Sequence, residues 1–286
     1  MTTISQIVRI LFYNAIFVGL GSYVIRNFFH TQYDSVIFVL LLLGIVIFDS
    51  IIDKKKLSNY GLKKPTTNDI KFALIIFALF FPVSIASRVL FPDFDAMYAP
   101  NLGLNYSNIL QFLIFIVPIA VLIEEIGVRS LFQSKIFSIF GSRLAIYATI
   151  INFTLLHFSW FFSLNLTNFL IVLGTVFAYS IFIAFLFDRT KNILATFLVH
   201  ILLNAISSLQ ILFHINNQVF YELILWSAWG IYFILLAPLA VDFLKSAFNL
   251  LKLSKKRTVE NLSGKISLVL LSVFSLLVII FMRYFL

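Results

Sequence analysis

The chain has 286 residues, 61% of them hydrophobic and only 12% charged, with a mean hydropathy of +1.03. Soluble domains carry about 25% charged residues, so this composition excludes an ordinary soluble fold and indicates an integral membrane protein. The net charge of +9 invites a nucleic-acid reading, but the cations lie in loops between apolar segments and form no binding patch. The absence of cysteine removes disulfides, Cys-ligated zinc and thiol catalysis.

A membrane-spanning helix needs about 20 apolar residues. Nine segments qualify in chain order: 7–25, 35–52, 72–91, 107–126, 144–162, 167–187, 192–213, 221–241 and 266–286. The predicted fold is therefore all-α: a polytopic transmembrane bundle of about nine spans forming one integral membrane domain, 1–286, with short loops. The first segment has only Arg9 near its start and no small-residue cleavage site, so it reads as a retained helix.

The polar, basic loop 53–71 holds Gly61 and Pro65 and reads as a surface linker. Thr66, Thr67, Asn68 and Asp69 at its end offer a helix start. Pro82 and Pro118 fall within spans, where each removes a backbone donor; Pro118 stands six residues before Glu124 and is placed to aim that helix end. The loop 92–106, with Asp93 and Asp95, belongs on the outer side. Residues 130–141 are too short and too polar to span, and read as an amphipathic or re-entrant piece on the cytoplasmic side.

Eighteen of the 21 Lys and Arg residues, all but Arg26, Arg88 and Arg283, fall at the N-terminus and in alternate loops. Cytoplasmic loops carry such an excess. This places the N-terminus in the cytoplasm and, with an odd number of spans, the C-terminus outside. The remaining effect of the charge is attraction to anionic lipid of the bilayer.

Three polar constellations interrupt the apolar helices. The first is Glu124-Glu125-Ile126-Gly127-Val128-Arg129. An ionisable residue at membrane depth is costly enough to mark a functional site by default. Residues four apart share a helix face, so Glu125 meets Arg129 while Glu124 points about 100° away. Glu124 is then the acid left for proton transfer, although both acids at a helix end can also simply be solvated. The second constellation is Phe153 with His157, where Phe153 lies one turn before the histidine and can shield or orient its ring. The third is His200 with Asn204, also one turn apart, a paired donor face suited to oxyanion stabilisation. Each of the last two is alternatively an interhelical hydrogen-bonding device.

Depth along each helix, at roughly 1.5 Å per residue, places His200 about 13 Å, Glu124 about 16 Å and His157 about 21 Å from the nearest flanking cation. Three helices can therefore bring these groups to one level.

The order EEIGVR (124–129), FTLLH (153–157) and HILLN (200–204), each in a hydrophobic span, resembles the CAAX protease and bacteriocin-processing family. This is also called the Abi or CAAX protease self-immunity family, and it includes the eukaryotic Ras-converting endopeptidase. The resemblance covers about residues 107–210, the expected catalytic core. It implies that Glu124 and His157 activate a water, that His200 and Asn204 hold the oxyanion, and that Glu125, Arg129 and Phe153 support the site. Val128 and Ser130 depart from the aromatic residue and glycine that many members carry there, which bears on packing and substrate fit.

The expectation is a multi-pass cell-membrane endopeptidase of peptide or membrane-protein substrates, without cofactor. Residue usage points to a bacterial source, where a peptide or bacteriocin precursor is a better-suited substrate than a prenylated protein. Rival expectations are an immunity protein or scaffold acting by binding, and a transporter using the acids and histidines as a proton relay. In a further variant Glu124, His157 and His200 hold zinc, although no HExxH helix is present.

Overall fold

The computed structural model describes residues 3–27, 32–89, 114–115, 117–157 and 166–216. Every regular element among them is helical. In chain order these are α1 (Thr3–Asn27), α2 (Gln32–Ile52), a 3-10 turn (Leu57–Tyr60), α3 (Thr67–Val89) and α4 (Val117–Glu124). A π-helical segment (Glu125–Gln133) follows, then α5 (Ser134–Phe140), α6 (Ser142–Leu156), α7 (Leu166–Thr190) and α8 (Ile193–Asn216). The helices fall on seven of the nine predicted apolar segments, while 221–241 and 266–286 lie outside the described residues, as does the loop 92–106. Among the described residues one helix, Val172–Thr190, is long and apolar enough to cross a membrane. Val36–Ile52, Ser142–Leu156 and Ile193–Ile206 are shorter apolar helices.

The boundaries follow from local chemistry. Thr66 and Asp69 form a reciprocal capping box at the start of α3: the Asp69 amide donates to Thr66 Oγ1 at 3.2 Å, and the Thr66 amide donates to Asp69 Oδ2 at 2.9 Å. Asn192 caps α8 by accepting from the Leu194 and Ala195 amides. Gly61, at φ +81°, closes the 3-10 turn in the left-handed region, which glycine enters without a steric cost. Its carbonyl accepts the Ile193 amide at 3.0 Å, tying the turn to the start of α8. Pro118 stands in the first turn of α4, where the lost donor has no intrahelical partner in any case.

The stretch 130–141 differs from its expected form. Through Phe140 it is not a separate amphipathic piece: α4, the π segment and α5 run on from Val117 with helical backbone at both junctions. Residues 125–136 are all buried, and their polar groups find protein partners in place of water. Ser130 Oγ donates to the Tyr60 carbonyl. Gln133 Nε2 donates to the Ala184 carbonyl at 2.9 Å, and Ser134 Oγ donates to the Arg129 carbonyl at 3.0 Å. Ser130 thus joins the continuous helix 117–140 to the 3-10 turn.

Lys135, expected as a loop cation facing water, is also buried. Its Nζ donates to Asp49 Oδ2 at 2.6 Å and to Asp53 Oδ2 at 2.5 Å. Arg9 donates to Asp49 at 2.7 Å and to Asp53 at 2.6 Å, and the hydroxyls of Tyr13 and Tyr60 complete Asp49 at 2.7 and 2.6 Å. Two acids and two cations thereby neutralise one another across α1, α2 and α5, with the 3-10 turn contributing Tyr60. The sequence offered one sign of this network: Asp49 interrupts the apolar run of α2.

The central helix has neighbours on every side: α1, α2, α6, α7 and α8 all touch the π segment. α1 comes closest at Gly127, where an added Cβ would lie 2.1 Å from the Phe17 ring. The main apolar core, including Phe17, Leu42, Ile76, Ile126, Phe153 and Val199, surrounds this helix.

Two predictions follow from these contacts. Burial acts to raise the Asp53 carboxyl, but hydrogen bonds from Lys135 and Arg9 outweigh it and hold the group at about 2, below its ordinary 3.8. A depressed carboxylate stabilises the fold above the unfolded value and loses that contribution as pH falls toward the folded one. Asp53→Asn should therefore lower the melting temperature in detergent at neutral pH, and the gap to wild type should close between about pH 4 and pH 2. Gly127→Ala should destabilise by about 1–3 kcal/mol through overpacking. Phe17→Ala in the same chain should recover part of that loss, because the clash is with this one ring.

Candidate active site

The junction between α4 and the π segment falls between the two glutamates. A π turn bonds i to i+5 and, where it interrupts an α-helix, commonly marks a functional site. Here it carries Glu125 and Arg129 through a stretch that is buried at every residue. Both side chains are fully buried. Arg129 Nε lies 3.4 Å from Glu125 Oε2, and its guanidinium sits over the Phe153 ring, 5.1 Å from the centroid.

Glu125 does more than neutralise Arg129. Its other oxygen, Oε1, lies 2.8 Å from His200 Nδ1 on α8. The opposite ring nitrogen, Nε2, is 3.6 Å from Glu124 Oε2. His200 thus stands between the two acids, attached to the buried one and facing the other. Glu124 is the more open of the pair, with a side chain 20% exposed. This arrangement differs from a Glu125 devoted to Arg129 alone and a Glu124 without a neighbour. α8 packs directly on α4 and on the π segment, which brings the histidine within reach of both carboxylates.

His157 caps the end of α6. Its Nδ1 lies 2.8 Å from the Phe153 carbonyl oxygen, the separation of a hydrogen bond donated by the ring. The Phe153 ring is 4.8 Å from the His157 ring, so Phe153 holds this imidazole through both backbone and side chain. With Nδ1–H committed to the carbonyl, Nε2 is left as the acceptor. His157 lies in the electrostatic field of Glu124 and His200. The Phe153 ring also meets His200 at 6.1 Å and Tyr179 at 5.8 Å. Asn204 is half-buried one turn beyond His200 on α8.

The structure therefore brings Glu124, Glu125, Arg129, Phe153, His157 and His200 into one locus, with Asn204 on the adjoining turn. Among the described residues no group of three His, Asp or Glu side chains converges closely enough to hold a metal ion. Sequence reasoning missed Tyr179 of α7, whose ring lies 4.9 Å from that of His200. No spacing rule marks a tyrosine in an apolar helix.

Residues 106–206 match the Rce1-like family model, described as type II CAAX prenyl endopeptidase Rce1-like. No curated protein and no solved structure matches the chain. The matched stretch contains both glutamates, Arg129, both histidines and Asn204. Residues 106–206 thus carry a Rce1-like type II CAAX prenyl endopeptidase domain, the domain of a family of membrane hydrolases.

Proposed function

We propose that this protein is an intramembrane endopeptidase whose water is activated by Glu124 and His157 within a catalytic core spanning 107–210. The observation that carries the reading is the position of His200, held by Glu125 at 2.8 Å and turned toward Glu124 at 3.6 Å. A proton acceptor and a candidate oxyanion donor are thereby fixed beside each other in a largely buried site.

Glu124 accepts a proton from water as the oxygen adds to the peptide carbonyl, while the His157 Nε2 acceptor orients that water. Negative charge develops on the carbonyl oxygen. The doubly protonated His200 ring donates Nδ1–H to Glu125 and Nε2–H to that oxygen, and the Asn204 amide adds a second donor. Collapse of the adduct breaks the C–N bond, and the proton held by Glu124 passes to the departing amine. Glu125 and Arg129 act on His200 and not on the substrate: the buried carboxylate fixes the imidazole, and the guanidinium balances the carboxylate. No metal or cofactor enters this scheme.

The substrate class is a peptide or membrane protein reaching the site from the bilayer. The chain reads as a multi-pass cell-membrane protein with a cytoplasmic N-terminus and, on nine spans, a C-terminus outside. Supporting this orientation, Arg9, Lys55 and Lys135 meet around Asp53. Lys191 lies over the Phe137 ring, two residues from Lys135. Cations from separate segments of the chain thus collect at one end of the bundle.

Three outcomes test these readings. In a peptidomic comparison of membranes from cells carrying wild type or Glu124→Gln, the variant should accumulate to normal levels while uncut substrate builds up; equal processing by both would refute the mechanism. Asn204→Ala should lower turnover by about 10²–10³, the usual cost of one oxyanion donor. Combined with His200→Ala, its effect should fall short of the product of the two, because both donors serve one oxygen. Reporter fusions after Lys64 and Lys256 should both report the cytoplasm.

A further inference from the structure

Tyr179 stands in α7 against the candidate site. Its ring is enclosed by Phe80 of α3 at 5.5 Å, Phe153 of α6 at 5.8 Å and His200 of α8 at 4.9 Å. The residue is 8% exposed, and its hydroxyl is buried with no hydrogen bond among the described residues. Aromatic neighbours on three helices keep the ring from swinging out to a bulk-water partner. A buried hydroxyl normally finds a partner, and one left without costs stability.

The surroundings show what kind of partner fits. The hydroxyl lies in the field of Glu125, Arg129 and Glu124. Glu124 Oε2, Glu125 Oε2 and the two terminal nitrogens of Arg129 are likewise buried without hydrogen bonds. Unsatisfied polar atoms from three helical segments therefore collect around His200 in an otherwise apolar core. A site intended only for packing would place phenylalanine at 179, which keeps every ring contact and leaves no polar atom unpaired.

We propose that Tyr179 is a further functional residue of this site, a fixed hydrogen-bond donor for an oxygen that enters with the reaction. This rests on the endopeptidase reading above. The incoming oxygen belongs either to the peptide carbonyl of the substrate or to the attacking water. The ring contact with His200 places the donor beside the residue assigned to the oxyanion, and the hydroxyl is satisfied only in the loaded site.

Tyr179→Phe tests the proposal, because it removes one oxygen and leaves the enclosed ring. Purified full-length protein in detergent is assayed with a quenched fluorescent peptide ending in a farnesylated CAAX sequence, beside its unlipidated form. Wild type, Glu124→Gln and Tyr179→Phe are compared, with melting temperatures recorded for all three. The expected result for Tyr179→Phe is a melting temperature equal to or above wild type, together with a loss of kcat/KM of about tenfold to 10²-fold, up to the range of one oxyanion donor. A loss in kcat alone assigns the hydroxyl to the oxyanion or the water, and a rise in KM alone to the carbonyl of the bound peptide.

Unchanged kinetics in Tyr179→Phe would overturn the proposal. So would a loss of activity matched by a lower melting temperature, since the hydroxyl would then have a structural partner. If neither peptide is cut in a Glu124-dependent way by wild type, the endopeptidase reading fails first and this proposal with it. Glu124-dependent cleavage that Tyr179→Phe leaves intact overturns the proposal alone.

Discussion

A fully buried carboxylate has to be compensated, and at Glu125 the compensation organises the site. Taking an ion out of water costs several kcal/mol even after relaxation. Glu125 recovers this from Arg129, four residues along its own helix, and from His200 on α8. The first partner is local and the second is distant in sequence, so one charge joins a segment's internal geometry to the packing of another helix. The π segment, the position of α8 and the direction of the His200 ring all meet at this group. Removing either partner would leave a charge in the core, which is why the arrangement permits little freedom.

A second network performs a related task at the other end of the central helix. Asp49 is saturated by Arg9, Lys135, Tyr13 and Tyr60, and Asp53 shares both cations. The helix bearing the acids is therefore fixed by charge beyond Arg129 as well as at Glu125. Gly127, between the two anchors, lets α1 approach to ring contact. The central helix is held by ion pairs at two levels and by a missing side chain between them. Phe153 adds the aromatic counterpart, touching His157, His200, Tyr179 and Arg129 together.

The polar groups divide by satisfaction. The two carboxylates of the Asp49 network are paired with the cations and hydroxyls around them, as expected of a device that holds helices together. Around His200, Glu124 Oε2, Glu125 Oε2 and the Tyr179 hydroxyl are buried without a hydrogen bond among the described residues. Such atoms weaken a fold, and they are retained where an incoming group completes them.

The sequence by itself determined the helical class, seven helix positions among the described residues, and the motifs that mark the candidate site. Apolar length, the Thr66–Asp69 capping pattern and the four-residue spacings are local properties, and local properties survive in a linear reading. The spacing also implied the Glu125–Arg129 pair. Only the tertiary structure decided that His200 takes Glu125 as its partner, because that contact spans 75 residues. The same holds for Lys135, a cation that looked like part of a wet loop until Asp49 and Asp53, more than 80 residues earlier, were brought to it. Tyr179 gave no signal at all, since an apolar helix accepts a tyrosine as readily as a phenylalanine in pattern. What distinguishes it is the absence of a partner for one oxygen, and satisfaction of a hydrogen bond is a property of three-dimensional surroundings.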